Sequence, residues 1–300
     1  MKLNTKLIKL LFGGKWYIAF RHTGSNEIYS ICETPVKEFC ADPFIINENR
    51  ETYIFCEQYR IDKRKGCIGY FRFIDGLPVT EGIVIERPYH LSYPCVFKYK
   101  EKYFMIPETG ENKTVEIYIA DRFPDKWSLH KVLLSGRGYV DTTIVIENDY
   151  LTMITYYRDN ERYILEKYAL SEKLDHASFI CKKRYNENIG RGAGAILVQS
   201  DGAVIRPTQN CKNSYGESII FNKIIGFGDS YDETPVRLMK VEDINVDESI
   251  RKKNIVGLHT YASNDQYEII DLFVRSFDCT YTIGNRIAKN KRVKQLMSDK

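Results

Sequence analysis

Pairs of polar side chains recur at one fixed separation along this sequence. Fifteen residues separate the members of three such pairs: Asp42 and Glu57, Tyr93 and Glu108, and Asp141 and Tyr156. Carboxyl groups that converge in a narrow, partly dry space shift each other's pKa, so that one can act as an acid while another acts as a base. Cleavage of a glycosidic bond uses such a pair, and the spacing therefore indicates acid–base chemistry on a sugar.

Each pair spans a segment with the pattern of a strand, a tight turn and a second strand. Residues 42–47 and 52–59 are mostly apolar or aromatic, and the polar residues 48–51 connect them. This pattern is typical of a β-hairpin. Because the first residue of one antiparallel strand lies beside the last residue of its partner, we expect Asp42 to meet Glu57 at one end of the hairpin. The other two pairs should meet in the same way.

The hairpins recur with a period of about 50 residues, and two further strands follow each of them. Successive copies start at Asp42, Tyr93, Asp141 and Ala193, which are 51, 48 and 52 residues apart. This period predicts the blades of a propeller. A fifth inner hairpin, residues 258–273, lacks outer strands, which the strands at 16–21 and 28–33 can supply. The sequence therefore predicts an all-β fold, a five-bladed β-propeller whose last blade is closed by N-terminal strands.

The ends of the inner hairpins should crowd one mouth of the central tunnel, and this mouth is the candidate site. The residues predicted there are Asp42, Glu57, Tyr93, Glu108, Asp141, Tyr156, Arg191, Arg206, Gln209 and His259. Tyrosine rings offer apolar faces, and arginine and amide groups offer fixed hydrogen-bond donors. This mixture suits a polyhydroxylated ligand.

Structural roles compete with functional ones at several of these positions. Asp42 precedes a proline and could close a turn through its side chain. The two glutamates could instead form ion pairs with Arg191 or Arg206, and His259 could be a hydrogen-bonded core residue. A cation held by Asp42 and Asp141 is a further alternative. The sequence contains no zinc-type cluster, and we expect no cofactor.

Composition predicts a single folded domain between two basic ends. Hydrophobic residues make up 43% of the 300 residues, and we predict one propeller over residues 16–283. Residues 1–15 carry four lysines and no acid, and residues 284–300 carry six basic residues and one acid. Since the whole chain has a net charge of +4, the propeller itself carries about −5. This acidic balance argues against a nucleic-acid groove in the propeller.

The two ends of the chain and its cysteines indicate in which cellular compartment the protein acts. Residues 1–13 predict a short amphipathic helix that could dock on the propeller or contact anionic lipid, and the tail from Arg286 could add a weaker lipid contact. The eight cysteines form no CxxC pair and lie mostly in apolar strands, so we expect reduced thiols. Without a signal-peptide pattern or a long apolar run, we expect a cytoplasmic protein, with the inner face of the membrane as the alternative.

Several segments in combination resemble one family. They are ADPF and CEQY in the first unit, LSYPCVF and MIPETGENKTVEIYIA in the second, and then YVDTTIV, RGAGAI, RPTQNCKNSYGESIIFNKI and GLHT. Over roughly residues 16–275 they resemble the N-terminal domain of glucosamine inositolphosphorylceramide transferase and its stand-alone bacterial relatives. That domain is similar in turn to the five-bladed propellers of glycoside hydrolase family 43.

The resemblance implies carbohydrate chemistry at the tunnel mouth and a role in bacterial surface-polysaccharide metabolism. Asp42 matches the first-blade aspartate that serves the hydrolases as base or nucleophile, Asp141 fits a second aspartate that orients, and Glu108 is the candidate acid. The second blade has Tyr93 where the hydrolases usually carry another aspartate. In the plant protein a separate C-terminal domain resembles the glycosyltransferase.

Two hypotheses follow for the function. The first is an enzyme that hydrolyses or transfers a glycosyl unit of a sugar or glycoconjugate, with Asp42, Glu108 and Asp141 as catalytic residues. The second is a non-catalytic module in which the same groups bind a glycan or a lipid-linked sugar.

Overall fold

Five antiparallel sheets form the protein, and almost every ordered segment is a strand. The computed structural model describes residues 12–25, 28–34, 38–147, 150–160, 162–226, 230–246, 248–251 and 254–277. Neighbouring sheets in the chain pack side by side, and the last sheet packs against the first, so that the sheets close a ring. The predicted five-bladed β-propeller is confirmed.

The blades follow one another in chain order. Blade one contains β3 (Glu38–Glu48), β4 (Glu51–Arg60), β5 (Lys65–Ile74) and β6 (Leu77–Ile85). Blade two contains β7 (Ser92–Tyr99), β8 (Lys102–Thr109), β9 (Thr114–Arg122) and β10 (Lys126–Ser135). Blade three contains β11 (Val140–Glu147), β12 (Tyr150–Asp159), β13 (Arg162–Leu170) and β14 (Ala177–Tyr185). Blade four contains β15 (Ile189–Gly192), β16 (Leu197–Val198), β17 (Val204–Asn210), β18 (Ser218–Gly226) and β19 (Asp232–Lys240).

Blade five takes strands from both halves of the chain. It contains β20 (Ile255–Gly257), β21 (Tyr261–Ser263) and β22 (Tyr267–Phe277), together with β1 (Phe12–His22) and β2 (Ser30–Ile31). Strand β1 pairs with β22 along its whole length, and β2 lies outside β1. The predicted closure by N-terminal strands is therefore confirmed, and β1 begins at Phe12, four residues earlier than expected. Two 3-10 turns (Gly110–Asn112 and Val241–Asp243) and one helical turn, α1 (Glu248–Arg251), are the helical elements of the described residues.

The two basic ends lie mainly outside the described residues. The predicted helix over 1–13 falls on residues 1–11, which are not described, and on Phe12 and Gly13, which belong to strand β1. The tail from Arg286 also lies outside them. No helix of the described chain is long and apolar enough to span a bilayer. The seven described cysteines are free thiols, six of them buried.

Glutamates that accept hydrogen bonds from tyrosines recur in the blades. Glu116, Glu166, Glu233 and Glu268 each accept hydroxyl hydrogen bonds from at least two tyrosines. Arginines join some of these clusters: Arg206 contacts Glu233 at 3.1 Å, and Arg21 donates to Glu268 at 2.7 Å. Buried carboxylates require such partners, and the clusters account for part of the high tyrosine content.

Strand pairing shifts by one residue near the axis in blades one, two and three. In blade one, Ala41 lies opposite Glu57 and Phe44 lies opposite Phe55, so that two residues oppose one. Equivalent bulges follow Ser92 and Val140 in the next two blades. The predicted hairpin ends do meet. The bulge shifts the pairing by one residue, however, so that Ala41 rather than Asp42 lies directly opposite Glu57.

The first residue of each bulge has a left-handed backbone. The φ angles are 53° for Asp42, 46° for Tyr93 and 51° for Asp141. A tyrosine in this region is uncommon, whereas aspartate tolerates it better. Such strain persists only where the surrounding contacts enforce it. All three side chains are buried near the tunnel axis, and their contacts are described below.

Candidate functional site

A cavity of about 300 Å³ opens at the end of the tunnel where the bulges lie. Six of the predicted site residues line it: Asp42, Glu57, Glu108, Asp141, Arg191 and His259. Six further residues complete the wall: Trp16, Phe39, Tyr59, His90, Ser92 and Tyr215. The cavity therefore combines four carboxyl groups, one arginine, two histidines and several aromatic rings, which is a lining suited to a small polar ligand with apolar faces.

The backbone amides at the bulges point towards acceptors near the axis. The Asp42 N–H donates to Asp271 Oδ2 at 3.0 Å, and the Tyr93 N–H donates to Asp42 Oδ2 at 3.2 Å. The Asp141 N–H donates to Glu108 Oε2 at 3.4 Å. In blade four the Gly194 N–H donates to the Tyr93 hydroxyl at 2.9 Å. The bulges thus release amides from the strand ladder, and these amides hold the side chains of the site.

Asp42 lies in a buried cluster with His259 and Asp271. The His259 Nδ1 atom lies 2.6 Å from Asp271 Oδ2, and its Nε2 atom lies 3.4 Å from Asp42 Oδ1. The Thr260 hydroxyl donates to Asp42 Oδ1 at 3.0 Å. Burial raises the pKa of Asp42 to about 6, although the nearby His259 opposes the rise. Burial lowers the pKa of His259, but Asp271 and Asp42 outweigh burial and the net pKa is raised.

The atoms of this cluster already bond one another. Asp271 Oδ1 accepts the N–H groups of His259 and Thr260 at 3.0 Å and 2.8 Å, and its Oδ2 accepts from Asp42 and His259. Within the described residues, these three side chains form a group whose ligand-type atoms lie within 4.8 Å of one another. A metal bound here would have to replace those hydrogen bonds, so the geometry fits a hydrogen-bonded core better than a metal site.

Asp141 and Glu108 lie on the other side of the cavity around Arg191. The guanidinium group donates to both oxygens of Asp141, at 2.6 Å and 3.1 Å, and lies 3.8 Å from Glu108 Oε2. Gln209 lies behind this pair and donates to the Gly192 carbonyl at 2.7 Å and to Asp141 at 3.5 Å. Burial and the charge of Asp141 raise the pKa of Glu108 to about 8, against the opposing effect of Arg191. Glu108 therefore retains its proton at neutral pH.

Glu57 is the fourth carboxyl group, and its neighbour is His90. The Gly66 N–H donates to His90 Nδ1 at 3.0 Å, so the ring carries its hydrogen on Nε2 when neutral. That Nε2 atom lies 3.4 Å from Glu57 Oε1. Burial lowers the pKa of His90 and raises the pKa of Glu57 well above its usual range, with Asp42 and Glu108 adding to the latter. Burial therefore disfavours the charged form of both side chains.

The remaining predicted residues lie close to the axis but do not line the cavity. The Tyr93 hydroxyl contacts Thr143 Oγ1 at 3.1 Å and the Gly194 carbonyl at 3.0 Å. Tyr156 donates to the Ile189 carbonyl at 3.4 Å. Arg206 forms its buried ion pair with Glu233, away from the two glutamates that were considered as its partners. Tyr93, Tyr156 and Gln209 connect neighbouring blades, whereas the partners of Arg206, Glu233 and Gly190, lie in its own blade four.

Sequence reasoning missed several residues that line the cavity or hold its side chains in place. Asp271 is a single acid in an apolar strand, which is a signal that a buried carboxylate needs partners. His90, Ser92 and Tyr215 belong to connections or strand ends outside the repeat pattern, so no periodicity marked them. Trp16 comes from the closing strand β1 and stacks on His259, with ring centroids 3.8 Å apart and planes 12° apart. The position of Trp16 beside His259 depends on closure of the ring, which the local sequence does not predict.

Comparison with known proteins assigns the family. A sequence profile of the family described as "Glucosamine inositolphosphorylceramide transferase 1, N-terminal" matches residues 27–255. The chain belongs to this family. A rice relative (Oryza sativa subsp. indica) named glucosamine inositolphosphorylceramide transferase 1 is 30% identical over 224 residues, which are 69% of this chain and 30% of the relative. The chain thus spans about 30% of the length of that relative.

Solved structures that resemble this chain include proteins named as glycoside-cleaving enzymes. A family 117 glycoside hydrolase from the marine bacterium Zobellia galactanivorans matches with a TM-score of 0.54 and 14% identity, over 87% of this chain and 91% of that one. An α-L-arabinofuranosidase from Podospora anserina, solved with cellotriose, matches with a TM-score of 0.55 and 10% identity, over 79% and 90%. At these identities the likeness establishes the fold alone.

Proposed function

We propose that this protein is a carbohydrate-active enzyme that hydrolyses or transfers a glycosyl unit in the cavity at the tunnel mouth. One observation carries the proposal: a single cavity contains a carboxyl group with a pKa of about 8, Glu108, and another with a pKa of about 6, Asp42. At neutral pH the first retains its proton and the second is mostly ionised. Glycosyl cleavage requires this division between an acid and a base.

In the proposed mechanism, Glu108 protonates the oxygen of the departing group. Asp42, as a carboxylate, either attacks the anomeric carbon or takes a proton from the attacking water or acceptor hydroxyl. Asp141 binds Arg191 through two hydrogen bonds and fixes its guanidinium group beside Glu108. Glu57 and its neighbour His90 offer hydrogen bonds to sugar hydroxyls.

The wider role is part of the same proposal. The substrate is a sugar or glycoconjugate of a bacterial surface-polysaccharide pathway, and the enzyme acts in the cytoplasm or at the inner face of the membrane. Family membership supports a sugar or glycoconjugate substrate, because the rice relative is named glucosamine inositolphosphorylceramide transferase 1. The propeller fold supports it as well, since the similar structures are named as glycoside hydrolases.

The proposal is tested by turnover of a panel of oligosaccharides, aryl glycosides and nucleotide sugars. Asp42→Asn and Glu108→Gln should each lower kcat by at least about 100-fold, as loss of a general acid or base does. Glu172→Gln serves as the control, because Glu172 is exposed and pairs with Lys100 on an outer turn. Unchanged turnover in the two cavity variants, with folding preserved by circular dichroism, would reject the assignment.

A second candidate function is glycan binding without chemistry. It is favoured by the hydrogen bonding of the aspartates: both oxygens of Asp42 and both oxygens of Asp141 already accept bonds within the protein. A lipid-linked sugar or glycan would then contact mainly Glu57 and Glu108. Calorimetry distinguishes the two functions, because a binding module would bind a glycan of the panel tightly while the wild-type protein leaves that glycan intact.

A further inference from the structure

One aromatic ring on the cavity wall is both exposed and without an evident structural purpose. Tyr215 lies in the connection between β17 and β18, and its side chain is 53% exposed. Its ring stands edge-on to Trp16, with centroids 6.1 Å apart and planes at 88°, and edge-on to His259, with centroids 5.3 Å apart and planes at 81°. The Arg191 guanidinium carbon lies 5.7 Å from the ring centroid. Tyr215 therefore stands over the part of the cavity that lies between the two charged clusters.

The connection that carries Tyr215 is fixed in place. The Leu258 N–H donates to the carbonyl of Gly216 at 2.8 Å. Gly216 has a φ of +68°, and a Cβ atom there would lie 2.9 Å from the Trp16 ring. Asn213 and Glu217 close the connection through two hydrogen bonds at 3.0 Å and 2.9 Å. The ring is thus held in its position before any ligand arrives, which lowers the entropic cost of binding.

The chemistry of Tyr215 matches that of a sugar. Among the described residues, no partner forms a hydrogen bond with its hydroxyl group, although the ring stands close to Asp42, Glu108 and Asp141. Desolvation beside the cavity and the charges of these acids raise the pKa of Tyr215 well above its usual value, despite Arg191. The hydroxyl therefore remains a neutral donor at any physiological pH. A glycosyl ring presents C–H groups on its faces and hydroxyls on its rim, which correspond to the ring and the hydroxyl of a tyrosine.

We propose that Tyr215 is a substrate-binding residue whose ring stacks on the apolar face of the reacting glycosyl unit and whose hydroxyl bonds a sugar oxygen. The inference rests on the proposed function of the cavity and deepens it. It assigns the ligand an exposed C–H face, as an uncharged pyranose has, and it places that face against blade four. Stacking holds the unit within reach of Asp42 and Glu108, while neither the ring nor the hydroxyl takes part in proton transfer.

The test compares Tyr215→Ala and Tyr215→Phe with the wild-type chain. Tyr150→Ala is the matched control, because Tyr150 is 78% exposed and lies at the opposite end of a blade-three hairpin. Steady-state kinetics gives KM and kcat separately, and sugar binding is followed by the fluorescence of Trp16, one of the two tryptophans of the chain and a neighbour of Tyr215.

We expect Tyr215→Ala to raise KM and Kd about tenfold, the loss that corresponds to about half of a buried aromatic side chain. Its kcat should stay close to the wild-type value. Tyr215→Phe should retain most of the affinity, and Tyr150→Ala all of it. A Kd unchanged by Tyr215→Ala would overturn the inference alone. A fall in kcat with constant Kd would overturn it in favour of a catalytic tyrosine, and a wild-type chain without sugar binding would overturn the proposed function as well.

Discussion

At the scale of single residues, the four carboxyl groups of the cavity differ because their neighbours differ. Asp42 has a histidine within 3.4 Å, and Glu108 has the charge of Asp141 beside it with Arg191 only at 3.8 Å. Burial raises the pKa of both groups, and the nearby charges then act in opposite directions: His259 opposes the rise for Asp42, to about 6, whereas Asp141 adds to the rise for Glu108, to about 8. The nearby charges therefore contribute to the division between acid and base.

These pKa values predict a bell-shaped pH profile. Below about pH 6 Asp42 becomes protonated and loses its capacity as a base, and above about pH 8 Glu108 loses the proton that it must donate. We therefore expect kcat/KM to be greatest near pH 7 and to fall about tenfold per pH unit on either side. Measurement of kcat/KM from pH 5 to pH 9 checks this. Replacement of Arg191 by methionine should move the alkaline limb upwards, because Arg191 lowers the pKa of Glu108, and a stationary limb would contradict the assignment of the acid.

At the scale of strands, the bulges convert a regular repeat into a site. A regular hairpin end would place Asp42 directly opposite Glu57 and leave its amide in the ladder. The bulge instead turns the amide towards Asp271 and brings the carboxylate within 3.2 Å of the amide of Tyr93 in the next blade. The fixed fifteen-residue offset allowed the hairpins and their converging ends to be predicted. It could not reveal the bulges, since a bulge depends on contacts between blades that are distant in sequence.

The side chain of Tyr93 links three blades of the propeller. Its hydroxyl joins blade two to Thr143 and to Gly194, and it accepts the Gly194 amide at 2.9 Å. Tyr93→Phe should lower the free energy of unfolding by about 2 kcal/mol, because it leaves buried polar groups without a partner. Urea unfolding measures this change, and Tyr150→Phe on the exposed surface should have no effect. Equal stability of the two variants would show that the buried hydroxyl is dispensable.

At the scale of the whole molecule, the sequence period predicted the number of blades and the closing strands. Each blade buries its faces only against its neighbours, so a repeat of about 50 residues implies the ring. Period alone did not predict the composition of the cavity wall. Trp16 reaches the cavity from the first strand and His259 from the last blade, and the contact between them exists only after the ring has closed. The glutamate and tyrosine clusters were likewise not predicted, although three of these glutamates have a tyrosine partner only two residues away.

Ring closure should dominate the stability of the protein. Ile18 in β1 is fully buried and packs in a cluster that joins blade five to blade one. Ile18→Ala should reduce the free energy of unfolding by about 3 kcal/mol, through lost burial and the cavity left behind. Ile28→Ala, at a position that is 48% exposed, should change it by less than about 0.5 kcal/mol. Thermal and urea unfolding measure both, and a small effect at Ile18 would mean that the closing strand is dispensable.

Blade five takes strands from both the beginning and the end of the ring, and this limits where a shorter fragment of the protein could begin and end. The match to the family profile begins at residue 27 and ends at residue 255, so both limits lie within the ring of blades. A fragment trimmed to those limits would lack β1, β21 and β22, and it would also lack Trp16, His259 and Asp271. Two of the twelve residues that line the cavity, Trp16 and His259, would be missing. A fragment that keeps all five blades intact would have to include residues 12–277, from the first residue of β1 to the last residue of β22.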